Sequence, residues 1–145
     1  MWRMDDDSLL LRHVTYDVFA YMREHHYLYG YIWKHWDARE CTTGLWEATS
    51  RYISERQITP TFFQDWPPAQ IYYNNFEISA NALWLSDAYK RYIKFIDSLG
   101  GIYYFRWGDA PIKGLAVSLF VAENQTHYFK DIGYQHGTFV NNKKT

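Results

Sequence analysis

Residues 71–111 read IYYNNFEISANALWLSDAYKRYIKFIDSLGGIYYFRWGDAP, and this stretch decides how the chain is organised. Apolar side chains recur in it at helical spacing, at Leu85, Tyr89, Tyr92, Ile96 and Leu99. The stripe predicts a helix that begins after a Ser79 cap and ends at Gly100-Gly101. Just before this helix, Asn74, Asn75 and Glu77 stand among aromatic residues, and a carboxylate in such surroundings needs a positive partner.

The flanking sequence continues an alternation of strands and helices. Residues 102–106 favour a strand, and Asp109 followed by Pro111 marks the start of another helix. Further patterns predict a short helix around Val18 and Met22 after a cap at Asp7 or Ser8, a strand with both faces buried over 27–36, a helix over 45–56, a loop over 59–70, a short strand over 127–129 and a loose tail over 141–145. The alternation predicts one α/β domain over residues 1–145, with a mixed or parallel sheet.

Composition excludes several classes of protein. The chain has 145 residues with 15 basic and 16 acidic side chains, and this balance argues against a nucleic-acid partner. A single cysteine, Cys41, rules out an internal disulfide, and no apolar run reaches the length of a membrane span. Aromatic residues make up 21% of the chain. Most of these rings are expected in the core, and the rest are expected to line a cleft.

The clearest candidate for metal binding is the run Asp5-Asp6-Asp7, which follows the apolar residues of a predicted strand. Two carboxylates one residue apart point to the same side, and their hard oxygens suit Mn²⁺ or Mg²⁺. On this feature alone, an acidic turn that caps a helix is the favoured alternative. His136 lies near the chain end after Gly133, where a loop can fold back, but a lone histidine is more often structural.

Glu77 and Asp109 are the candidate catalytic carboxylates. A carboxylate beside apolar rings can serve a developing positive centre, such as an oxocarbenium-like sugar carbon. The alternatives are structural: Glu77 as a helix N-terminal acid beside Ser79, and Asp109 as an N-cap paired with Arg106. The motifs of zinc peptidases, redox dithiols, serine hydrolases and phosphate-binding loops are missing from the sequence.

Four blocks of sequence resemble the α-1,2-mannosyltransferases of glycosyltransferase family 15. They are WRMDDD, NNFEIS, GGIYYFRWGDAPIKGLAVSLF and HYFKDIGYQH, and they resemble the family patterns WRVEPD, SNFEI, GGFYYERWGDAP and DIGYHH. Tyr16-Asp17 and Phe19 align with a further YDPF pattern, so nearly the whole chain is covered. The resemblance implies a GT-A-like fold and Mn²⁺-dependent transfer of mannose, with retention, from GDP-mannose to a mannosylated glycan acceptor.

The resemblance also implies a role for individual residues. Asp5, Asp7 and His136 fall on metal-binding positions, and Arg3 and Asp7 on donor-binding positions. Glu77 matches the carboxylate that faces the anomeric carbon, as nucleophile or as stabiliser of the cation, and Asp109 matches an active-site aspartate. Substrate contacts are implied for Asn75, Arg106 and Trp107.

Three departures from the family pattern bear on function. Asp6 replaces a proline, and Asp5 is one methylene shorter than the family's glutamate. In the family, a nucleotide-binding half precedes the metal motif, whereas only Met1 precedes it here. The expectation is therefore a C-terminal catalytic part that lacks the guanine and ribose pocket and binds GDP-mannose no more tightly than about 1 mM. The alternative is a non-catalytic fragment or a sugar-binding module that has lost donor binding.

Location is implied in the same way. Asn124-Gln125-Thr126 is a glycosylation sequon, which fits a protein of the Golgi lumen. The family's membrane anchor is expected in the N-terminal part that this chain lacks.

Overall fold

The computed structural model describes residues 1–141, which form nine strands and six α-helices. The strands are β1 (Trp2–Met4), β2 (Ser8–Leu10), β3 (Tyr29–Tyr31), β4 (Lys34–Trp36), β5 (Gln70–Tyr72), β6 (Phe76–Ser79), β7 (Thr126–Tyr128), β8 (Tyr134–His136) and β9 (Phe139–Val140). The helices are α1 (Val18–Glu24), α2 (Leu45–Arg56), α3 (Asn81–Leu85), α4 (Asp87–Ser98), α5 (Gly101–Tyr104) and α6 (Asp109–Phe120). None of the helices in this described part is both long enough and apolar enough to cross a membrane.

The central sheet is mixed and has four strands in the order β1-β6-β3-β7. The pairs β1–β6 and β6–β3 are antiparallel, and β3 and β7 are parallel, which confirms the predicted mixed sheet. In the β1–β6 register Arg3 lies opposite Glu77. Because directly opposed residues project to the same face, these two side chains share one side of the sheet.

Most aromatic side chains lie in or against the core, as composition predicted: of the 30 rings, 11 are buried and 13 more are partly buried and pack against the buried residues. Within residues 1–141, eight of the twelve largest fully buried side chains carry rings. They form two clusters. One lies between the sheet and helices α2, α4 and α6, around Trp66, Tyr72 and Tyr92, and the other contains Val18, Met22 and Phe76.

Helix α2 confirms the predicted helix over 45–56, and the long helix of residues 71–111 ends as predicted where Gly100 adopts a left-handed φ of 73°. The start of that helix was predicted wrongly. Ser79 ends strand β6, and Ser86 caps α4 by accepting a hydrogen bond from the Tyr89 amide. Leu85 is 65% exposed because it ends the separate short helix α3, outside the buried stripe.

Two predicted strands differ in the structure. Residues 27–36 form two strands, because β3 joins the central sheet while β4 pairs with β5. Residues 102–106 do not form a strand: α5 follows Gly100 directly, and the Phe105 amide donates to the Gly101 carbonyl. A side chain at Gly101 would lie 2.4 Å from the Trp107 ring, so this turn depends on glycine.

The N-terminal helix begins later than predicted, since Asp17 caps α1 through the amides of Phe19 and Ala20. Asp7 and Ser8 cap no helix, because Ser8 begins strand β2 and pairs with His136. This pairing brings the end of the described chain back to its beginning. Of the predicted loose tail, Asn141 is held by hydrogen bonds to Tyr134 and Ile132, and residues 142–145 lie outside the described part.

Candidate active site

The first part of the candidate site lies where strands β1 and β6 meet. Asp5 follows the last residue of β1 and Asn75 precedes the first residue of β6, so their backbones are adjacent, with the Asp5 amide 3.3 Å from the Asn75 carbonyl oxygen. The Asn75 side-chain amide donates to the Asp5 carboxylate. Two residues that are 70 positions apart are thus held side by side by strand pairing.

His136 reaches the same place through the β2–β8 pairing. Its Nε2 atom lies 2.9 Å from Oδ1 of Asp7 and 3.9 Å from Oδ2 of Asp5. Its Nδ1 atom shares a 2.6 Å hydrogen bond with the Tyr73 hydroxyl. Burial, reinforced by the charges of Asp5 and Asp7, raises the pKa of Tyr73 above its ordinary value, so this hydroxyl stays neutral.

The three predicted metal ligands therefore converge, although they contact one another rather than surround an ion position. In the described part of the chain, no group of three or more His, Cys, Asp or Glu side chains forms a ready cation site. Two carboxylates and one imidazole nonetheless match the donor types that suit Mn²⁺. A metal-bound histidine usually donates its second ring N–H to a neighbour, and Tyr73 occupies that position.

Arg3 joins this cluster to Asp109. One guanidinium nitrogen lies 2.5 Å from Asp109 Oδ2, and the other lies 3.4 Å from Asp5 Oδ1. The Asn74 amide donates to the same Asp109 oxygen at 2.9 Å. Burial raises the pKa of the Asp109 carboxyl, but hydrogen bonds from Arg3 and Asn74 and the charges of Arg3 and Lys113 outweigh it and hold this pKa below its usual value. We call this cluster the rim network; its members are Arg3, Asp5, Asp7, Asn74, Asn75, Asp109 and His136.

Glu77 lies beside the rim network on strand β6 and is completely buried. The Lys113 ammonium is 3.0 Å from one of its oxygens and 3.1 Å from the other. The hydroxyls of Ser79 and Tyr29 also donate to this carboxylate, at 3.0 and 3.3 Å. Glu77 is therefore a strand residue and not a helix N-terminal acid, and we call Glu77 and Lys113 the buried pair.

The three residues predicted from the RWGDAP block differ in their surroundings. Asp109 opens α6 after the N-cap Gly108, and its partner is Arg3, so the alternative of an N-cap paired with Arg106 is wrong.

Arg106 is exposed with a left-handed φ of 60° and makes no hydrogen bond or ion pair within residues 1–141. Trp107 is only 6% exposed, and its indole N–H donates to the Thr43 carbonyl at 2.8 Å. Its contacts are those of a core residue, and its substrate role stays a prediction.

Comparison with known proteins places this arrangement in a family. The profile of the glycolipid 2-alpha-mannosyltransferase family matches residues 1–145. The chain belongs to this family. Glycolipid 2-alpha-mannosyltransferase 1 of Candida albicans is 33% identical over 97% of this chain, and a glycolipid 2-alpha-mannosyltransferase of Saccharomyces cerevisiae is also 33% identical over 97%. The chain covers 35% and 34% of these two relatives.

Solved structures of family members show the same fold. The mannosyltransferase Ktr4p of S. cerevisiae in complex with GDP superimposes with a TM-score of 0.89 at 28% identity. Core-mannan synthase A of Aspergillus fumigatus, in an Mn/GDP form, gives a TM-score of 0.89 at 25% identity. Each covers 97% of this chain, which spans 40% and 42% of the two proteins. The predicted family and the predicted α/β fold of a GT-A-like glycosyltransferase, present in part, are confirmed.

Sequence reasoning missed Lys113, Tyr73 and the Arg3–Asp109 contact. Lys113 had a usable signal, because it lies four residues after Asp109 on a predicted helix and therefore shares its face. Tyr73 had none beyond its position in an aromatic run. The Arg3–Asp109 contact joins residues 106 positions apart and requires the fold.

Proposed function

We propose that the chain forms the catalytic part of an α-1,2-mannosyltransferase that transfers mannose from GDP-mannose to a mannosylated glycan acceptor, with Mn²⁺ as cofactor and retention at the anomeric carbon. The observation that carries the proposal is the link through Arg3, which binds Asp5 and Asp109 and lies opposite Glu77. Three of the carboxylates to which the family resemblance gives a role, Asp5, Glu77 and Asp109, thus lie near one guanidinium. The relatives, of which this chain covers about a third, support the reaction class.

The rim network is proposed to bind the donor and the metal. Asp5, Asp7 and His136 would hold Mn²⁺, and Tyr73 orients the His136 ring through its Nδ1 atom. When bound, Mn²⁺ supplies positive charge that neutralises the departing diphosphate. Arg3 contributes a second positive charge at the same place. Arg3 and Asp7 are both proposed to bind the donor.

The buried carboxylate of Glu77 is proposed to stabilise the positive charge that develops at the anomeric carbon. Its side chain is inaccessible to solvent and both oxygens already accept hydrogen bonds, which favours this role over direct attack as a nucleophile. A charge that is fixed in a low-dielectric interior acts more strongly than the same charge in water, and it needs no reorganisation during the reaction.

Substrate positioning is proposed for the polar and aromatic groups at the open side. Asn75 lies against Asp5 and His136, and the exposed Arg106 is available to an acceptor glycan. Asp109 is 60% exposed at its side chain, so it remains reachable by an acceptor hydroxyl. Trp107 would act by holding the turn that precedes Asp109, since its ring covers Gly101.

Cellular location follows from the family and is part of the proposal. The family resemblance implies work in the Golgi lumen, and we propose the same location for this chain, held there by a membrane anchor outside the described residues. The sequon at Asn124 lies on an exposed turn, Glu123–Gln125, which is compatible with exposure to that compartment.

Transfer of labelled mannose from GDP-mannose to an acceptor that ends in mannose tests the function, in a protein that joins this chain to the family's nucleotide-binding half. Residues 1–145 by themselves are expected to give no product. We expect a Mn²⁺-dependent product that an α-1,2-specific mannosidase removes. Glycan binding without transfer, with and without Mn²⁺, would contradict the proposal and favour a sugar-binding module. Calorimetry with GDP and Mn²⁺ tests the expected weak donor binding of residues 1–145, and micromolar binding would mean that these residues build the nucleotide site themselves.

A further inference from the structure

Lys113 makes the most direct contact with the candidate catalytic carboxylate, and the family resemblance gives it no role. Its ammonium group lies within 3.1 Å of both Glu77 oxygens. The lysine side chain is 15% exposed and that of Glu77 is 0% exposed. A pair with this burial is shielded from water and salt, so the contact is not an ordinary surface ion pair.

Among residues 1–141, this lysine is the cationic group that contacts the carboxylate directly. Burial of an ionised carboxyl group is costly unless a positive group compensates for the lost water. The groups that face Glu77 are Lys113 from α6, Tyr29 from β3, Arg3 from β1 and Tyr89 from α4. The two tyrosines are neutral donors at most, and Arg3 is already bound to Asp5 and Asp109.

A closed set of contacts holds the lysine in place. Ser79 donates its hydroxyl hydrogen to Glu77, and the Trp84 indole N–H donates to that same Ser79 oxygen at 2.8 Å. The Lys113 ammonium lies 4.8 Å from the centre of the Trp84 ring, within the range of a cation–π contact. Lys113, Glu77, Ser79 and Trp84 therefore form a ring of interactions in which each member contacts the next. Such a ring fixes both the position and the orientation of the carboxylate.

We propose that Lys113 is a positioning residue of the transfer reaction, which keeps Glu77 ionised and directs its carboxylate within the site. The catalytic consequence rests on the proposed function. The effect of Lys113 on the ionisation of Glu77 does not rest on it, because that ionisation is measured in the chain itself without substrate.

The test follows the carbon-13 signal of the Glu77 side-chain carboxyl during a pH titration. Lys113→Met keeps the length of the side chain and removes its charge, so the midpoint of the Glu77 titration should move to higher pH by about one unit or more. Lys113→Arg should restore the parent behaviour, because it restores the charge. Lys90→Met, on the exposed side of α4, is the matched control and should leave the Glu77 signal unchanged. An unchanged midpoint in folded Lys113→Met overturns the proposal.

A second variant keeps the proposal testable if Lys113→Met does not fold. Glu77→Gln retains shape and removes the negative charge, so the Lys113 amine should lose its proton at lower pH than in the parent chain. Nitrogen-15 spectra of the lysine amines measure this change, and the Lys90 amine serves as the internal reference. A Lys113 amine that titrates as in the parent chain overturns the proposal independently of the first variant.

Kinetics separate this inference from the proposed function. If the protein transfers mannose, Lys113→Met should lower kcat at neutral pH about tenfold or more with little change in the KM for GDP-mannose, and Lys113→Arg should recover most of the rate. A lowered kcat that Lys113→Arg does not restore, with normal Glu77 titration, contradicts the positioning role. An absence of transfer by the parent protein counts against the proposed function only, since the titrations still decide the ionisation of Glu77.

Discussion

The rim network and the buried pair contain the same kinds of charged group in different surroundings. The Arg3–Asp109 contact is shorter than either Lys113–Glu77 contact, yet the Asp109 side chain is 60% exposed and that of Glu77 is 0% exposed. Water competes for the first ion pair and not for the second. A short distance therefore says little about energetic importance, and burial says more.

The largest effect on stability is expected when one member of the buried pair is removed. Lys113→Ala leaves the Glu77 carboxylate buried without its counter-charge, and the free energy of unfolding should fall by about 3 kcal/mol. Urea denaturation measures this loss. The double variant Glu77→Gln, Lys113→Met removes both charges and should recover most of the stability. A double variant as unstable as Lys113→Ala would show that the charges are not the cause.

The next effect concerns the rate of transfer. Glu77→Gln removes the charge that is proposed to face the anomeric carbon, so kcat should fall by about 100-fold or more, with donor affinity little changed. Steady-state assays with GDP-mannose at saturating Mn²⁺ distinguish these two parameters. Parent-like turnover in this variant would remove Glu77 from the mechanism.

A smaller effect is expected for the metal ligands of the rim network. His136→Ala removes the imidazole near Asp5 and Asp7, and the Mn²⁺ concentration required for half-maximal binding or activity should rise about tenfold or more. Titration of Mn²⁺ by calorimetry or by assay gives this value. Asp6→Asn is the control, because Asp6 is exposed and has no described partner among residues 1–141. An equal response of both variants would exclude a specific role for His136.

The smallest effect is expected for the exposed ion pair. The folded-state pKa of Asp109 is lowered, so its contribution to stability is present above the unfolded pKa and is lost as the pH falls through the folded value. Because the side chain is 60% exposed, Asp109→Asn should change the free energy of unfolding by less than about 1 kcal/mol. Denaturation at neutral and acidic pH measures the difference. A larger loss at neutral pH would show that the contact with Arg3 stabilises the fold more than the exposure of Asp109 indicates.

The sequence predicts those features of the site that depend on residues close together in the chain. Local signals made Asp5, Glu77 and His136 candidates, because they lie in short blocks that resemble a known family. The long helix was also predictable, since Tyr92 and Ile96 repeat at helical spacing and are fully buried. These features depend only on residues that are close together in the chain.

The wrong predictions arose where local signals were equivalent. Ser79 and Ser86 are both good N-cap residues, and only the pairing of β6 with β1 and β3 decides that Ser86 caps α4. Residues 102–106 are rich in ring side chains and resemble a strand, but they have no neighbouring strand to pair with in the described chain, and Gly100 directs them into a helical turn. Lys113 was missed because its partner lies 36 positions away on another element.

The pairing order of the central sheet sets the sequence of events during synthesis. Strand β1 needs residues 76–78 as its partner, and β3 needs residues 126–128 for its parallel contact. The site itself joins Arg3 and Asp5 near the start of the described chain to His136 near its end. Because a ribosome delivers these segments in order, the site is assembled only after residue 136 has emerged, and the first strand stays unpaired until residues 76–78 have emerged.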